Sequence, residues 1–508
     1  MEQFIAAVTD VNSAVNGFVW GIPMLILLVG TGILMTILTK GFQVLRYKHW
    51  KAETIGKIFK DKKVTAHTGK DDKSISQFQS LCTALAATIG TGNIAGVSAA
   101  IISGGPGAIF WMWIVALFGM MTNFSENVLG IFYRRRNAKG EWQGGAMYYL
   151  QDGLGGHKGC KVIGKILAVL FGIFCVLASF GIGNMSQINS IATNMENSFN
   201  VTPLVTGIVL MLIAALVVVG GLKRIASVTE KLVPFMAIAY VLGAVLIVCI
   251  NADQVTAAIA SIFRGAFGIH AVGGGLVGSG VKMAITWGMK RGVFSNEAGL
   301  GSSVMVHSSS NVREPVRQGM WGIFEVFMDT IVVCTLTALA VLTSGIVDLQ
   351  TGTLIPAATE AGLKDTALVA EVFRGVFGPI GAQFIAIAIL LFAFSTVLGW
   401  SHYGATAFEY LFGRTATMIY KIVFVLFIVV GATMNLSLAW DLSDTFNGLM
   451  AIPNLIGVVS LSGVVMKITK NYVDRKFRGA DIEPMYSYFP DIQKEQMAGA
   501  KQDEEDED

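Results

Sequence analysis

The fold is decided by the stretch Thr88-Ile89-Gly90-Thr91-Gly92-Asn93-Ile94-Ala95-Gly96 (TIGTGNIAG, residues 88–96). It places three glycines among hydroxyl and amide groups near the middle of an apolar run, 78–102, that is long enough to cross a bilayer. Every backbone polar group of a spanning segment needs a partner inside the protein, so a Gly-rich interruption is unfavourable unless it lines a protein-buried cavity. The stretch therefore predicts a broken transmembrane helix at a binding cavity.

A second apolar run, 276–301, is interrupted twice, by WGMKRG at 287–292 and by SNEAGLG at 295–301. The two interrupted runs are five spans apart, so they cross the membrane in opposite directions. This arrangement is typical of two inverted five-helix repeats whose first helices are broken at a shared site. The alternative explanation for the glycines is close helix packing through small residues.

The composition places most of the chain in lipid. Of 508 residues, 53% are hydrophobic and 14% are charged, and the mean hydropathy is +0.62. Soluble proteins carry about 25% charged residues. Apolar runs of about 20 residues predict an all-α membrane protein with about eleven transmembrane helices. Besides the two interrupted runs, these are 18–38, 108–133, 166–191, 204–221, 232–250, 319–342, 380–403, 416–434 and 446–466.

Basic residues are distributed unevenly between the predicted loops. The first loop carries ten lysines and arginines, and every second loop after it is basic, at 134–139, 223–224, 313–317, 414 and 467–478. The loops between them are neutral or acidic, for example 194–203 and 435–444. Because cytoplasmic loops are enriched in Lys and Arg, the pattern predicts a multi-pass protein of a bacterial-type inner membrane, with its N-terminus outside and its C-terminus in the cytoplasm.

Two segments are expected outside the membrane core. Within 44–63, Ile55, Ile58 and Phe59 fall at helical spacing between lysines, which is typical of a helix lying on the anionic inner leaflet. The acidic end, 503–508, is a like-charge block typical of a disordered, solvated tail. The predicted organisation is an extra N-terminal helix (1–39), a basic loop (40–77), two inverted five-helix repeats (78–250 and 251–468) and a cytoplasmic tail (469–508).

No motif of an enzyme or of a nucleic-acid-binding protein accompanies these helices. The sequence has no HExxH, no P-loop and no GxSxG element with catalytic partners, and its six histidines and five cysteines do not cluster. A passive channel is the other rival, but channels usually rely on a repeated pore ring, whereas paired broken helices favour alternating access. The sequence therefore predicts a transporter without a cofactor.

Three blocks of this sequence resemble a known family, the alanine/glycine:cation symporters. They are ALAATIGTGNIAG (84–96), GGPGAIFWMW (104–113) and KRGVFSNEAGLG (290–301), and the resemblance extends from about residue 78 to the end of the last predicted span. It implies the leucine-transporter fold and sodium-coupled symport of a small neutral amino acid, alanine or glycine, into the cell. A proton-coupled or glutamine-type symporter stays open as an alternative, and so does the oligomeric state.

The resemblance also implies a position for the substrate. Residues 89–93 are similar to the unwound first core helix of this fold, where a glycine-rich stretch receives the substrate carboxylate. Gly90, Thr91 and Gly92 are the expected substrate-binding residues. A half-helix that begins at such a break presents free amide N–H groups and a positive dipole end, which suit an anion.

A sodium site is implied beside the same break. In this fold the ion lies between backbone carbonyls that match Ala86 and Ile89 and hydroxyls that match Ser395 and Thr396. Hard oxygen ligands of this kind suit Na⁺. The alternative is that the two hydroxyls bond the backbone of their own helix, which is common in apolar helices.

Further pocket candidates rest on spacing. Phe180, Asn184 and Gln187 lie at i, i+4 and i+7, which would form one unusually polar face of a spanning helix, directed into the cavity. Trp287 falls at the predicted second break, and Trp400 follows Thr396 by about one helical turn. Either tryptophan would be placed to cover the side-chain end of a small substrate.

Ionisable residues inside predicted spans are treated as candidate functional groups, since each is unfavourable in lipid. Glu126 is expected near the cytoplasmic end of its helix, paired with Arg134 as a gate or packing contact. Glu325 and Asp329, one turn apart, are candidates for a proton or second-cation route. Lys282 is expected to extend outward to the membrane surface.

Overall fold

The computed structural model describes residues 2–69, 73–268, 276–434 and 437–505. Lys70, Asn435 and 506–508, which the predicted loops and tail include, lie outside these ranges. In chain order the main helices are α1 (Glu2–Val19), α2 (Ile22–Leu38), α3 (Gln77–Thr88), α4 (Ala95–Gly104), α5 (Gly107–Phe132), α6 (Lys161–Phe180), α7 (Ser186–Phe199), α8 (Pro203–Val218), α9 (Gly221–Ile250), α10 (Ala252–Phe267), α11 (Leu276–Asn296), α12 (Val304–His307), α13 (Pro315–Val326), α14 (Thr335–Thr343), α15 (Asp365–Phe377), α16 (Pro379–Phe412), α17 (Thr417–Thr433), α18 (Ser437–Ser460), α19 (Ser462–Arg478) and α20 (Pro490–Glu505).

Shorter helical turns connect these elements. They cover Phe42–Leu45, Tyr47–Lys51, Ala52–Gly56, Lys57–Lys60, Lys62–Thr65, Thr91–Asn93, Ala146–Tyr148, Tyr149–Leu154, Gly181–Met185, Phe327–Cys334, Pro356–Glu360 and Arg414–Ala416. Two short strands, β1 (Arg135–Arg136) and β2 (Trp142–Gln143), pair antiparallel as a hairpin. The predicted all-α class is confirmed, with this hairpin as a small addition.

The membrane-spanning character of the chain is visible in its helices. Within the described residues, seven helices are long and apolar enough to cross a membrane, and two bent helix pairs raise the number to nine. The helices α8 and α11 occupy the two remaining predicted positions. Large apolar side chains are exposed along α8, α9 and α17, including Leu216 (70% exposed) and Phe235 (66%), as expected of surfaces that face lipid.

The first predicted break is confirmed in its position. Ser76 begins α3 with a capping box, in which its hydroxyl accepts from the Gln79 amide N–H and the Gln79 side chain accepts from the Ser76 N–H. The helix ends at Thr88, a single 3₁₀ turn covers Thr91–Asn93, and α4 then continues at an angle of 58° to α3. Backbone groups at residues 89–94 are thus released from the regular helix.

The second run is broken in one place rather than two. The helix α11 continues through 287–292 and ends at Asn296, so the predicted interruption at WGMKRG is wrong. There, a β-carbon on Gly288 would lie 2.3 Å from the Ala108 carbonyl oxygen, and one on Gly292 would lie 2.5 Å from Val115 Cγ1. These glycines therefore allow α11 to pack closely against α5, which is the alternative explanation given above for glycines in a spanning segment.

This seam gives a direct stability prediction. Gly288→Ala is expected to destabilise the protein by about 1–3 kcal/mol, because the new methyl group collides with backbone rather than with a flexible side chain. Gly280→Ala is a matched control on the same helix, since nothing lies within 4 Å of a β-carbon there. Thermal unfolding of both purified variants measures the difference, and equal midpoints would contradict the close α5–α11 contact.

Other boundaries differ from the sequence-based expectation. The first span begins earlier, because α1 and α2 together cover Thr9–Leu38 with a break at Gly21. The last span begins earlier too, so Asp441 and Asp444, predicted in a loop, lie on α18. The predicted solvated tail begins inside α20, which extends to Glu505. The amphipathic helix α10 was not predicted, because its polar positions interrupt the long apolar runs that mark spans.

The segment 42–65 between α2 and α3 is helical, as predicted, but in several short turns. Phe59 is 84% exposed, whereas Ile55 and Ile58 are half-buried against the body of the protein. An aromatic ring this exposed fits the expected position on a bilayer surface.

Candidate functional site

The two broken helices meet at a shared carboxylate. The Asn93 side-chain amide, in the first break, donates to Asp329 Oδ1 at 2.6 Å, and the Ser295 hydroxyl, at the end of α11, donates to the same oxygen at 3.1 Å. A β-carbon on Gly92 would lie 3.2 Å from Ser295 Cα and 3.3 Å from the Phe294 ring. Asp329 lies in the π-helical turn Phe327–Cys334 and is completely buried. The two breaks therefore form one polar centre inside the helical body.

The first break exposes amide groups to side-chain oxygens. The Gly90 N–H donates to Asn93 Oδ1 at 3.0 Å, and the Thr91 N–H donates to Gln187 Oε1 at 3.3 Å. A β-carbon on Gly90 would lie only 2.4 Å from Thr396 Oγ1 and 3.3 Å from Gln187 Oε1. Because glycine has no β-carbon, Gly90 permits α16 and α7 to approach the opened backbone closely.

Three of the four predicted sodium ligands, Ala86, Ser395 and Thr396, lie together. The Ser395 and Thr396 hydroxyls both donate to the Ala86 carbonyl, at 3.3 and 3.0 Å, and both side chains are buried. Each hydroxyl has a single hydrogen, and the Phe392 carbonyl of their own helix is a competing acceptor, at 2.8 Å from Ser395 and 3.1 Å from Thr396. Ile89 leaves the helix with φ −78° and ψ 90°, which turns its carbonyl out of the helical pattern. Hydroxyl and carbonyl oxygens thus converge beside Gly90.

The second break is held in a strained conformation. Glu297 has φ +56°, and Gly299 and Gly301 also have positive φ, at 95° and 71°. A non-glycine residue in this region is unfavourable and persists only where neighbours fix it. The Glu297 carboxylate accepts from the Trp400 indole N–H at 2.8 Å and from the Ser302 hydroxyl at 2.5 Å. Trp400 therefore supports the break from α16 through its indole N–H.

Three residues were predicted on one face of the span 166–191, and of these the structure brings Gln187 to the first break. Asn184 donates to the Phe424 carbonyl at 2.7 Å, and the Phe180 ring contacts those of Phe424 and Phe427 on α17. The cause is the π-helical turn Gly181–Met185, which inserts an extra residue and shifts the phase of the helix. The turn thus separates Gln187, which bonds Thr91, from Phe180 and Asn184, which both contact Phe424.

Trp287 lies away from the break as well. It is half-buried on the continuous part of α11, and its Cβ lies 3.0 Å from a β-carbon placed on Gly104 at the end of α4. The Lys290 ammonium and the Arg291 guanidinium lie 5.7 and 5.3 Å from its ring centroid. The structure thus places Trp287 beside two cations rather than at the polar centre.

Glu126 contacts the second break, and its predicted pairing with Arg134 is wrong. The side-chain amide of Asn454 bridges Glu126 Oε1 and the Gly299 carbonyl. Arg134 instead donates to backbone carbonyls that follow α12, at Ser308 and Ser310. Asn454 was not singled out from sequence, because a lone amide in an apolar run carries no signal until its partner is known.

Glu325 and Asp329 have different hydrogen-bond partners. A π-helical turn begins between them, and Glu325 instead accepts from the His307 ring at 3.0 Å and from the Asn123 amide at 3.2 Å. His307 and Glu325 are fully buried. Lys282 is exposed on α11, as predicted.

Two cavities flank the polar centre. One, which we call the Asp444 cavity, has a volume of about 550 Å³ and is lined by parts of α4, α7, α11 and α18. The other, the His402 cavity, has a volume of about 520 Å³ and is lined by the β-hairpin, the start of α9 and the second half of α16. Along the second broken helix, Phe294 lies before the break in the Asp444 cavity and Met305 lies after it in the His402 cavity.

Aromatic contacts and ion pairs lie at the edges of both cavities. Phe294 stacks on Trp440 with ring centroids 6.1 Å apart, which covers the first break from the Asp444 side. Asp444 itself pairs with Lys290 at 2.7 Å. At the His402 cavity, Arg414 pairs with Glu141 of the hairpin loop, and this hydrogen bond holds the pKa of Glu141 below its ordinary value. The polar centre itself is buried, since Asn93, Ser295 and Asp329 are fully inaccessible to solvent.

Paired broken helices around a buried polar centre, with a cavity on either side, define a multi-pass membrane transporter. The chain belongs to the sodium:alanine symporter family, whose family model matches residues 5–486.

The chain is similar to two named relatives and to one solved structure. The sodium/alanine symporter AgcS of Methanococcus maripaludis is 45% identical over 470 residues, covering 92% of this chain and 97% of that protein. A probable sodium/glutamine symporter, GlnT, of Bacillus subtilis is 34% identical over 483 residues, covering 95% and 93%. Among solved structures, MhsT in complex with L-phenylalanine has a similar fold, with a TM-score of 0.52 at 14% identity, covering 78% of this chain and 99% of that one.

Proposed function

We propose that this protein couples the entry of Na⁺ to the uptake of a small neutral amino acid, alanine or glycine, by alternating access across the cytoplasmic membrane. The observation that carries the proposal is the polar centre where both broken helices meet, with the oxygens of Ala86, Ser395 and Thr396 beside the opened backbone at Gly90. Membership of the sodium:alanine symporter family supports the choice of ion and substrate class.

The proposed substrate position is the first break. The carboxylate would bind the amide groups of Gly90, Thr91 and Gly92, with Gln187 as a polar neighbour. In the structure Gln187 Oε1 accepts from the Thr91 N–H, so a bound carboxylate would replace this side-chain acceptor. The tight surroundings of Gly90 and Gly92 favour a substrate with a small side chain, because Phe294 and Thr396 leave little space there.

The proposed sodium position lies between Ala86, Ile89, Ser395 and Thr396. Binding of Na⁺ would turn both hydroxyl oxygens toward the ion, and their hydrogen atoms could still be donated to the Phe392 carbonyl. Occupation of this position would join α16 to the first break, because its ligands come from both.

The test is uptake of radiolabelled alanine into proteoliposomes. An inward Na⁺ gradient is expected to raise uptake at least about tenfold over choline. One cation crossing 100 mV provides about 2.3 kcal/mol and a tenfold gradient about 1.4, which together support accumulation of several hundredfold. Uptake that is equal in Na⁺ and choline and insensitive to an imposed proton gradient would contradict symport. Equilibration without accumulation would indicate a channel.

The alternatives are resolved in the same vesicles. Glutamine competing with alanine at lower concentration than glycine does would assign the glutamine-type substrate, for which a named relative provides a precedent. Uptake that follows a proton gradient in the absence of Na⁺ would assign proton coupling instead.

A further inference from the structure

A histidine–carboxylate pair is buried between α12 and α13, and neither residue is assigned above to amino-acid or sodium binding. His307 Nε2 lies 3.0 Å from Glu325 Oε2, and both side chains are inaccessible to solvent. The Gln318 side-chain amide donates to His307 Nδ1. Because Nδ1 accepts, the ring hydrogen is on Nε2 and is donated to the carboxylate. The pair is therefore a neutral imidazole and a carboxylate, with one net negative charge.

This negative charge has no cationic partner. Among the residues that the structure describes, Glu325 makes no ion pair with a lysine or an arginine, and its Oε1 has no hydrogen-bond partner. A buried carboxylate without a cationic partner is unfavourable, and binding of a proton makes it neutral. The unpartnered oxygen is the position at which a proton can be added.

The neighbouring elements supply further acidic groups. The titratable side chains that interact electrostatically with Glu325 are Glu126 (α5), Glu297 (second break), Asp329 (turn Phe327–Cys334) and Tyr403 (α16). Other titratable or charged groups on the adjoining elements have their own contacts: Arg134 with the Ser308 and Ser310 carbonyls, Arg317 with Glu53, Arg475 with Glu314, His49 with Tyr472, His402 with the Met305 backbone and Cys82 with Glu230. Several buried carboxylates close together favour a proton on one of them.

The pair contacts both broken helices. His307 ends α12, which follows the second break, and its Nδ1 lies 3.3 Å from the hydroxyl of Ser80 on α3. Ser80 and the proposed sodium ligand Ala86 lie on the same helix, and their separation in sequence corresponds to about 9 Å. Two positive charges about this far apart inside a protein weaken each other's binding by roughly tenfold.

A chain of hydrogen bonds leads from the pair towards the end of the protein where the basic loops cluster. The Ser310 hydroxyl donates to Gln318 Oε1 at 3.0 Å. Asn311, the next residue, lines a cavity of about 770 Å³ at that end. The pair is thus separated from this cavity by few residues, although it is itself buried.

We propose that His307 and Glu325 form a proton-binding site, and that a proton bound there weakens the binding of Na⁺. The proton is added to Glu325 Oε1 and neutralises the pair, while the histidine hydrogen stays on Nε2. Proton and Na⁺ oppose each other because each adds positive charge to the same buried region. The inference rests on the proposed sodium symport and adds its regulation by pH.

The first test is infrared difference spectroscopy of the purified full-length protein between alkaline and acidic pH, without Na⁺ or amino acid. A C=O stretching band of a neutral carboxyl group is expected on acidification, and Glu325→Gln should lose it. His307→Leu removes the donor to this carboxyl group and should change the frequency of the band. The matched control is Glu230→Gln, which alters a histidine–carboxylate pair with an exposed histidine, His67, at 3.0 Å and should leave the band in place.

The second test is the Na⁺ concentration for half-maximal alanine binding to the same proteins. In the wild type it should be about tenfold higher at acidic than at alkaline pH. Glu325→Gln is neutral at every pH, so it should keep the higher value throughout. Glu230→Gln should follow the wild type.

Three results would overturn the proposal. One is a band of wild-type intensity in folded Glu325→Gln, because the proton would then lie on another group. The others are a wild-type Na⁺ titration that is the same at both pH values, and a loss of the pH dependence in Glu230→Gln. Failure of the proposed function gives a different result: Na⁺ would have no effect on alanine binding at any pH, while the infrared band would still identify the proton site.

Discussion

Gly90→Ala is expected to reduce amino-acid binding by at least about a hundredfold. The new β-carbon would lie 2.4 Å from Thr396 Oγ1, well inside van der Waals contact, and 3.3 Å from Gln187 Oε1. Relief of this overlap requires α16 or the opened backbone to move, and either movement displaces the amide groups proposed to hold the carboxylate. A loss of two charge-assisted hydrogen bonds, at about 1.5–3 kcal/mol each, accounts for an effect of this size.

The measurement is scintillation proximity binding of radiolabelled alanine to purified protein at saturating Na⁺. Gly96→Ala is the matched control, because it adds the same methyl group to the same broken helix where the nearest heavy atom is the flexible Arg291 side chain at 3.9 Å. It should bind within about twofold of wild type. A folded Gly90→Ala protein with wild-type affinity would move the substrate away from this break and return its glycines to a packing role.

Thr396→Val is expected to raise the Na⁺ concentration for half-maximal uptake by about tenfold or more, with a smaller change in alanine affinity at saturating Na⁺. Valine keeps the shape of threonine but removes an oxygen that lies 3.0 Å from the Ala86 carbonyl. Hydrogen bonds and contacts to charged groups contribute about 1.5–3 kcal/mol, which corresponds to one to two orders of magnitude in affinity.

The control for this variant is Ser401→Ala on the same helix. Ser401 is buried, and the one hydrogen bond recorded for its hydroxyl among the described residues is to the Leu398 carbonyl of its own helix, at 2.7 Å. Its loss should leave the Na⁺ titration unchanged. If Thr396→Val also leaves the titration unchanged, the hydroxyl pair is a helix-packing feature and the proposed ion position is wrong.

The predictability of the fold from the sequence varied with the kind of signal. TIGTGNIAG predicted a real break because polar groups and glycines coincide there in the middle of an apolar run. WGMKRG contains similar residues, but Gly288 and Gly292 face α5 in a continuous helix. The difference depends on the residues of α5 that these glycines contact, Ala108 and Val115. A single sequence does not show which residues of two helices are in contact.

The site was less predictable than the fold, for two physical reasons. Periodicity assumes 3.6 residues per turn, and the π-helical turn at Gly181–Met185 made that assumption fail between Gln187 and the pair Phe180 and Asn184. Long-range pairs are the other reason. Asn93 belongs to the predicted break, but its hydrogen bond to Asp329, 236 residues further along the chain, could not be predicted from one sequence. The resemblance of sequence blocks placed Ser395 and Thr396 beside Ala86, which spacing alone would not have done.

The helix α16 contacts both breaks within little more than one turn: Thr396 bonds Ala86 at the first, and Trp400 bonds Glu297 at the second. A ligand that alters the position of this helix at one break therefore alters its contacts at the other. By thermodynamic reciprocity, the factor by which Na⁺ raises the affinity for alanine equals the factor by which alanine raises the affinity for Na⁺. Two binding titrations, each performed with and without the other ligand, must give the same ratio, and Trp400→Phe should reduce both ratios together.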